Sequence, residues 1–221
     1  MGCRTEYDSP DDNMTGDDMT LQNKLNITDP AELMREEERL SKLRAKELYD
    51  SGRLTEMKAG TVSSLLDIHR ILFSDIYDFA GEIRTVNLAK GSFRFAPVMY
   101  LAAALENVEK MPQSTFEQII EKYVEMNIAH PFREGNGRAT RIWLDLILRK
   151  ELSKVVDWSK VDKTDYLLAM ERSPVKDVEI KYLLREALTD KINDREIYMK
   201  GIDNSYMYEG YHAFETDKIE R

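Results

Sequence analysis

Apolar residues recur at intervals of three and four along most of this 221-residue chain, a spacing that constrains it to fold as packed α-helices. Val62, Leu65 and Leu72 fall on one face of a predicted helix, and His69 lies within the same stripe. We therefore expect His69 to be a hydrogen-bonded core histidine rather than a ligand. The pattern predicts an all-α fold, a compact helical domain rather than a simple four-helix bundle.

Start signals place the predicted helices along the chain. Asp29 directly precedes Pro30, which is typical of the first turn of a helix, and residues 114–117 form a capping box. Further helices are predicted from residue 61, from 97, after 137, and over 162–172, 175–188, 194–200 and 204–209.

Residues 84–96 depart from this helical pattern. Phe93 and Phe95 alternate with polar residues after a turn at 90–92, which predicts a small β-hairpin. An isolated hairpin is only marginally stable. We therefore expect this one to lean on the helices or to offer its backbone to a partner.

Charge and cysteine content exclude several classes of protein. The chain has 32 basic and 41 acidic residues, a net charge of −9, so direct binding of nucleic acid is not expected. No apolar run reaches the roughly 18 residues of a membrane span, and a single cysteine, Cys3, excludes an intrachain disulfide. Residues 1–20 are acidic without an apolar period, which predicts a disordered tail. Because the start also lacks the pattern of a signal peptide, we expect a cytoplasmic protein.

The segment from 130 to 141 reads His-Pro-Phe-Arg-Glu-Gly-Asn-Gly-Arg-Ala-Thr-Arg and joins two predicted apolar helices. Gly135 and Gly137 let backbone N–H groups converge on one point, and the next helix adds its positive N-terminal end. Arg138 and Arg141 stand three residues apart on its first turn, so both side chains can reach the same anion. The segment therefore predicts a cradle for polyphosphate.

Two further side chains indicate what this cradle does with a phosphate. Glu134 is an oxygen donor beside the loop, which suits a phosphate-bound Mg²⁺. His130 stands at the opposite end of the loop, and its ordinary pKa suits a general base near neutral pH. Together they indicate phosphoryl or nucleotidyl transfer. The alternative is an ordinary glycine-rich turn with solvated charges.

The segment resembles the signature of the Fic family, His-Pro-Phe-x-Asp/Glu-Gly-Asn-Gly-Arg-x-x-Arg, at every specified position. Residues 90–95 are similar to the family's β-hairpin, the flap, and residues 76–84 to the segment before it. The resemblance implies a Fic domain over 21–200, with an inhibitory helix and tail over 201–221. It also implies an activity: transfer of AMP from ATP to a hydroxyl side chain of a target protein, with release of pyrophosphate.

The resemblance further implies a role for each residue of the motif. His130 would deprotonate the attacking hydroxyl and lie beside the bound ATP. Glu134 would hold Mg²⁺, or Mn²⁺ in its place, against the phosphates. The remaining residues of the motif would bind the phosphates of ATP: Gly135, Asn136, Gly137, Arg138 and Arg141.

Three residues outside the motif are expected near the nucleotide. Lys90 lies where the family's flap approaches it, and Asn127, one helical turn before His130, faces the same pocket. Leu167 is a candidate adenine wall, with a role in the core as the alternative. The flap is expected to align a target segment by main-chain pairing and to present its Tyr, Ser or Thr hydroxyl. Topoisomerase ATPase subunits are candidate targets by this resemblance alone, and a homo-oligomer is left open.

The C-terminal region resembles an inhibitory motif, Ser/Thr-x-x-x-Glu-Gly/Asn, that some single-domain Fic proteins carry. Ser205 and Glu209 match it. A carboxylate beside Arg141 would occupy the site of the γ-phosphate. Tyr206 and Tyr208 neighbour this acid, and we expect one or the other to take AMP once the helix leaves the site.

Two alternatives to an inhibited adenylyltransferase stay open. In another state Glu209 would orient water and remove AMP, which would make the chain a de-AMPylase or a bifunctional enzyme. The other alternative is a non-enzymatic, nucleotide-sensing interaction module that Glu209 keeps closed. The presence of both His130 and Glu134 argues against this second alternative.

Overall fold

The structure, a computed structural model, describes residues 6–7, 14–15, 20–91 and 93–220. This part of the chain is mostly helical, as predicted, and none of its helices is long and apolar enough to cross a membrane. The α-helices are α1 (Pro30–Asp50), α2 (Arg53–Glu56), α3 (Val62–Phe73), α4 (Val98–Lys110), α5 (Phe116–Ala129), α6 (Asn136–Leu152), α7 (Lys163–Arg172), α8 (Val178–Glu186) and α9 (Arg195–Tyr208). Single turns of 3-10 helix lie at Trp158–Lys160 and Thr216–Lys218.

Side-chain caps explain where several of these helices begin. Asp29 accepts a hydrogen bond of 2.7 Å from a backbone N–H in the first turn of α1. Thr115 and Gln118 form the capping box of α5, one residue later than the predicted 114–117. The side chains of Asp162 and Asp194 accept hydrogen bonds from backbone N–H groups in the first turns of α7 and α9. The predicted starts of these four helices are confirmed.

Short antiparallel strands complete the described part of the chain. They are β1 (Glu6–Tyr7), β2 (Met14–Thr15), β3 (Thr20–Leu21), β4 (Leu88–Lys90), β5 (Phe93–Arg94), β6 (Val155–Val156) and β7 (Leu188–Thr189). β4 and β5 form the predicted hairpin, and β1 joins the other edge of β4. The remaining pairs are β2 with β3 and β6 with β7.

The core lies where α1, α3, α5 and α6 pack against one another. Tyr123 on α5 and Trp143 on α6 are fully buried there. Trp143 Nε1 donates to the carbonyl of Thr61, at the start of α3, over 2.9 Å. The N–H of Ala96 donates to the carbonyl of Ile128 over 3.0 Å, which fastens the end of the hairpin to α5. The flap and the loop between α5 and α6 are thus both anchored on the same helix.

Three predicted helices differ from the observed ones. The helices predicted over 194–200 and 204–209 are one continuous helix, α9, although Gly201 lies between them. A Cβ on Gly201 would lie 3.2 Å from Trp158 Cδ1, so the glycine permits close packing rather than ending the helix. The helix predicted over 175–188 is the shorter α8, because Leu188 pairs with Val156 in a sheet.

The predicted disordered tail falls largely outside the described residues, which leave out 1–5, 8–13 and 16–19. Within this region β1 pairs with the flap strand β4, and Tyr7 stands opposite Leu88. The prediction of a wholly disordered tail is therefore wrong for residues 6–7, which form a strand. Main-chain hydrogen bonds to a strand edge need no apolar period, so the sequence pattern could not indicate it.

Candidate active site

Two left-handed backbone positions shape the loop that joins α5 to α6. His130 ends α5 with a φ of 49°, and Gly135 precedes α6 with a φ of 76°. A Cβ on Gly135 would lie 2.4 Å from the Phe73 ring, so only glycine fits there. The Asn136 side chain closes the loop, because it donates to the Phe132 carbonyl (2.6 Å) and accepts from the Phe132 N–H (2.8 Å). The loop and the first turn of α6 are thereby held in one shape.

His130 is half-buried and held in one tautomer. Its Nδ1 lies 3.3 Å from the carbonyl of Asn127, which can only accept, so Nδ1 carries the proton and Nε2 carries the lone pair. The ring stacks on Phe95 of the flap, with 3.6 Å between ring centres. Burial lowers the pKa of His130 to about 3, and the charge of Arg84 acts in the same direction. His130 is therefore neutral at physiological pH, as a general base requires.

Arg84 connects the flap to this loop, and the sequence did not indicate it as a site residue. It is buried, and its guanidinium donates to the carbonyls of His130 (2.7 Å), Ala129 (3.1 Å) and Ala96 (2.6 Å). These bonds hold the histidine and the base of the flap in one arrangement. A charged residue beside a hairpin is usually solvated, so no periodic pattern could have indicated this role.

Arg141 is the centre of the contacts between α6 and the C-terminal helix α9. Its Nε donates to Ser205 Oγ (2.6 Å), and its Nη2 donates to the Ser205 carbonyl (2.8 Å) and to Glu209 Oε1 (2.9 Å). Arg141 is buried, and the Glu209 side chain is 25% exposed. The structure thus places both residues that match the inhibitory motif, Ser205 and Glu209, on Arg141.

The Glu209 carboxylate also lies against the backbone of the motif. A Cβ on Gly137 would lie 2.4 Å from Glu209 Oε1, so the carboxylate fills a space that only a glycine leaves open. Lys90 Nζ, on the flap, lies 4.0 Å from Oε2. Burial alone would raise the pKa of Glu209, but the charges of Arg141 and Lys90 outweigh it and lower the pKa to about 2. Glu209 is therefore an anion among the groups that were expected to bind phosphate.

The contacts of Arg138 differ from the expectation that Arg138 and Arg141 reach the same anion. Its Nη1 donates to Glu37 of α1, and its Nη2 donates to Glu134 Oε1 over 2.8 Å. Its Nε is buried and has no hydrogen-bond partner among the residues that the structure describes. The reason for the difference is the carboxylate of Glu37, which α1 places beside Arg138. Binding of phosphate by Arg138 stays a prediction.

Glu134 supplies a carboxylate suited to a metal ion. Its Oε1 accepts from the Gly135 N–H (2.8 Å) and from Arg138, whereas Oε2 has no hydrogen-bond donor in the described part of the chain. That part contains no group of three or more His, Cys, Asp or Glu residues that could hold a metal. Mg²⁺ is commonly bound by one or two carboxylates together with substrate phosphates. The donor set therefore fits an ion that arrives with ATP.

His69 holds the backbone of Glu134. Its Nδ1 accepts from the Gly81 N–H (2.8 Å), so its Nε2 must donate to the Glu134 carbonyl, 2.9 Å away. Its ring stacks on Phe132 with 3.7 Å between ring centres. The prediction of a hydrogen-bonded core histidine is confirmed, and this histidine also supports the loop.

Asn127 and Leu167 were both predicted to lie near the nucleotide. Asn127 lies beside His130, and its side-chain Nδ2 donates to the carbonyl of Tyr123 over 2.8 Å. Leu167 is partly buried and packs against the core, which favours its alternative role. Contact of either residue with a nucleotide stays a prediction.

The two tyrosines predicted to take AMP lie on the buried side of α9. Tyr206 is 0% exposed and Tyr208 is 3% exposed. The Tyr208 hydroxyl donates to the carbonyl of Val161 over 2.7 Å. Modification of either tyrosine therefore requires α9 to leave this position.

The segment that follows α9, residues 209–220, is fastened to α1. Lys42 Nζ donates to the carbonyl of Phe214 over 2.6 Å. Lys46 Nζ donates to the carbonyls of Asp217 (2.8 Å) and Ile219 (3.0 Å). The C-terminal element expected to inhibit is thus longer and better anchored than the short helix predicted over 204–209.

Known proteins are similar to this chain in sequence. The sequence model of the Fic/DOC family matches residues 60–148. "Protein adenylyltransferase VbhT" of Bartonella schoenbuchensis is 30% identical over 217 residues, which are 91% of this chain but only 43% of VbhT. "Probable protein adenylyltransferase y4lH" of Sinorhizobium fredii is 30% identical over 165 residues, which are 69% of this chain and 82% of that protein.

Solved structures share the fold. BepC of Bartonella tribocorum, determined with bound AMPPNP, has a TM-score of 0.66 at 20% identity and covers 80% of this chain and 96% of its own. The "Type IV secretion system effector protein BepA" has a TM-score of 0.67 at 18% identity and covers 91% and 75%. The likeness to these structures shows the fold, and the match to y4lH over most of its length shows the family. The chain belongs to the Fic/DOC family.

Proposed function

We propose that this chain transfers AMP from ATP to a hydroxyl group of a target protein, and that α9 holds it in an inhibited state. The observation that carries the proposal is the position of the Glu209 carboxylate, on Arg141 and against Gly137. An anion there, close to a neutral His130, supports a phosphate-binding site at this position. VbhT and y4lH, both named as protein adenylyltransferases, support the same reaction.

Each residue of the loop has a separate role in the proposed reaction. Nε2 of His130 takes the proton of the attacking hydroxyl, whose oxygen forms a bond to the α-phosphorus of ATP. The bond from the α-phosphorus to the bridging oxygen breaks, and pyrophosphate leaves with the electron pair. Arg141 and the N-terminal turn of α6 stabilise the charge on the departing phosphates. Glu134 would hold Mg²⁺, which when bound neutralises phosphate charge.

Glu209 inhibits transfer by charge and by position. The Glu209 carboxylate accepts the hydrogen bond of Arg141 Nη2, and its negative charge repels a γ-phosphate that would bind the same nitrogen. ATP then binds with its α-phosphorus displaced from the line of attack. A displacement of about 1 Å can cost on the order of 10² in rate.

The flap provides a means of binding an extended segment of the target. Its strand β4 pairs with β1 of the same chain, which supports the view that this edge accepts a strand through main-chain hydrogen bonds. Phe95 of the flap stacks on His130, so a strand paired with the flap would pass close to the base. We infer that the target is recognised as an extended loop that carries a Tyr, Ser or Thr hydroxyl.

The position of the label in ATP distinguishes the reaction classes. With the Glu209→Gly variant and a cell lysate as the source of targets, we expect protein to be labelled by α-labelled ATP and not by γ-labelled ATP. Mass spectrometry should then find AMP on the labelled side chains. Label from the γ-position would instead indicate phosphoryl transfer. If ATP binds but neither form of labelled ATP labels protein, the nucleotide-sensing module is favoured. Loss of AMP from a target that already carries it would favour the de-AMPylase.

Inhibition by Glu209 should not depend on pH between 6 and 8. Its pKa is lowered from 4.5 to about 2, so the ion pair with Arg141 is complete above about pH 4.5 and is lost only as the pH falls toward 2. The pKa of His130 is also lowered, to about 3, so neither group titrates in this window. We expect a constant ratio between the rates of Glu209→Gly and the unaltered protein. A ratio that approaches one toward pH 6 would contradict the pairing, and Glu209→Gln serves as the uncharged control.

A further inference from the structure

Arg138 is buried between two carboxylates that come from distant parts of the chain. Its Nη1 donates to Oε1 of Glu37 on α1, and its Nη2 donates to Oε1 of Glu134 over 2.8 Å. Arg138 is 1% exposed and Glu37 is 2% exposed. Because the guanidinium fork is rigid and planar, two charged partners at its two ends fix its direction.

Aromatic rings hold the same guanidinium in place. Its central carbon lies 4.9 Å from the centre of the Phe73 ring and 4.6 Å from that of Tyr211. The Tyr211 hydroxyl also donates to Glu37, as does the hydroxyl of Tyr77. Arg138 is therefore constrained at both ends and beside its plane, and it presents Nη2 to Glu134 in one orientation.

The burial of Glu37 calls for an explanation. A buried charge destabilises a fold unless it is paired, and an apolar residue at such a position often serves stability as well or better. The partners of Glu37 are Arg138, Tyr77 and Tyr211. Through Arg138 this acid is linked to Glu134, the carboxylate expected to hold Mg²⁺.

We propose that Glu37 is a positioning residue for the metal site. It fixes Arg138, which holds Oε1 of Glu134 and leaves Oε2 for the divalent cation that accompanies ATP. His69 independently fixes the backbone of the same glutamate. The inference rests on the proposed function for the presence of ATP and its cation. Residues that orient a metal ligand in this way commonly change metal affinity by about 10- to 100-fold.

The test measures metal binding rather than catalysis. Mn²⁺ with a non-hydrolysable ATP analogue is titrated into the Glu209→Gly variant, and the relaxation of water protons reports the bound ion. Adding Glu37→Gln should weaken Mn²⁺ binding by about tenfold, while the affinity for the metal-free analogue stays unchanged. Tyr77→Phe is the matched control, because it removes one hydrogen bond to Glu37 but leaves the bond to Arg138. We expect it to leave Mn²⁺ binding unchanged.

A double-mutant comparison separates positioning from a merely structural role. In a Glu134→Gln background the metal carboxylate is already gone, so Glu37→Gln should add no further loss of Mn²⁺ affinity. Equal losses in both backgrounds, or no loss in either, would overturn the proposal. Should Glu37→Gln fail to fold, Glu37→Asp keeps the charge but retracts the carboxylate, and the same comparison applies. Mn²⁺ binding does not need AMP transfer, so absence of transfer with this coupling intact would reject only the proposed function.

Discussion

Replacing Glu209 with glycine should raise the rate of AMP transfer by about 10²-fold at saturating ATP and target. The carboxylate lies 2.9 Å from Nη2 of Arg141 and fills the space beside Gly137, so its removal frees the groups expected to bind the γ-phosphate. Without this carboxylate we expect ATP to bind with its α-phosphorus in line with the attacking hydroxyl, which raises the rate of transfer. Initial rates of protein labelling with α-labelled ATP measure the effect.

Glu215→Gly is the matched control for this change. It removes an exposed carboxylate, paired with Lys218, from the segment that follows α9, and we expect it to leave the rate unchanged. Arg141→Ala in the Glu209→Gly background should lower the rate, because the γ-phosphate then loses its arginine. Equal rates for Glu209→Gly and the unaltered protein would show that α9 has only a structural role.

Release of α9, the helix proposed to inhibit, must break more than one ion pair. α9 buries Tyr206, and its Ser205 is bonded to Arg141. The segment after it is bonded to Lys42 and Lys46 of α1. Local opening costs least where few apolar contacts and hydrogen bonds are lost, which does not describe this element. We therefore expect modification of Tyr206 to follow release of α9 rather than to cause it.

The active-site loop could be predicted because its chemistry is local. Gly135, Gly137 and Arg141 stand at fixed intervals in one short segment, so their spacing alone places them at the start of a helix. The cap of α1 was predictable for the same reason, and that of α5 was predicted to within one residue, since each depends on residues within one turn. The pairing of Glu209 with Arg141 is long-range, and only the resemblance to a family motif indicated it.

The charged residues of α1 show why the rest could not be predicted. Glu36, Glu37 and Glu38 are consecutive, and glutamates are mostly exposed to solvent in folded proteins. The structure buries Glu37 and Glu38, because Arg138 and Lys42 pair with them. Glu37 and Arg138 are 101 residues apart in the sequence, so no local sequence pattern could predict that they form an ion pair. Buried ion pairs of this kind depend on the packing of whole helices.

Replacing His130 with alanine should lower the rate of AMP transfer by about 10³-fold and leave ATP affinity nearly unchanged. In the proposed reaction the neutral ring, with its proton on Nδ1 and its lone pair on Nε2, would take the hydroxyl proton. The phosphates are expected to bind instead to Arg141 and the first turn of α6, which this change leaves intact. Single-turnover rates in the Glu209→Gly background, with ATP affinity measured by calorimetry, separate the two effects.

His212 provides the control for this prediction. It is exposed on the segment after α9, its Nδ1 lies 2.9 Å from the carbonyl of Gly210, and its replacement by alanine should leave transfer unchanged. His69 is unsuitable for comparison, because its loss would disturb the loop itself. Transfer by His130→Ala at more than a few per cent of the parent rate would mean that another group accepts the proton. Equal loss of ATP affinity and rate would instead place His130 in nucleotide binding and remove it from the chemical step.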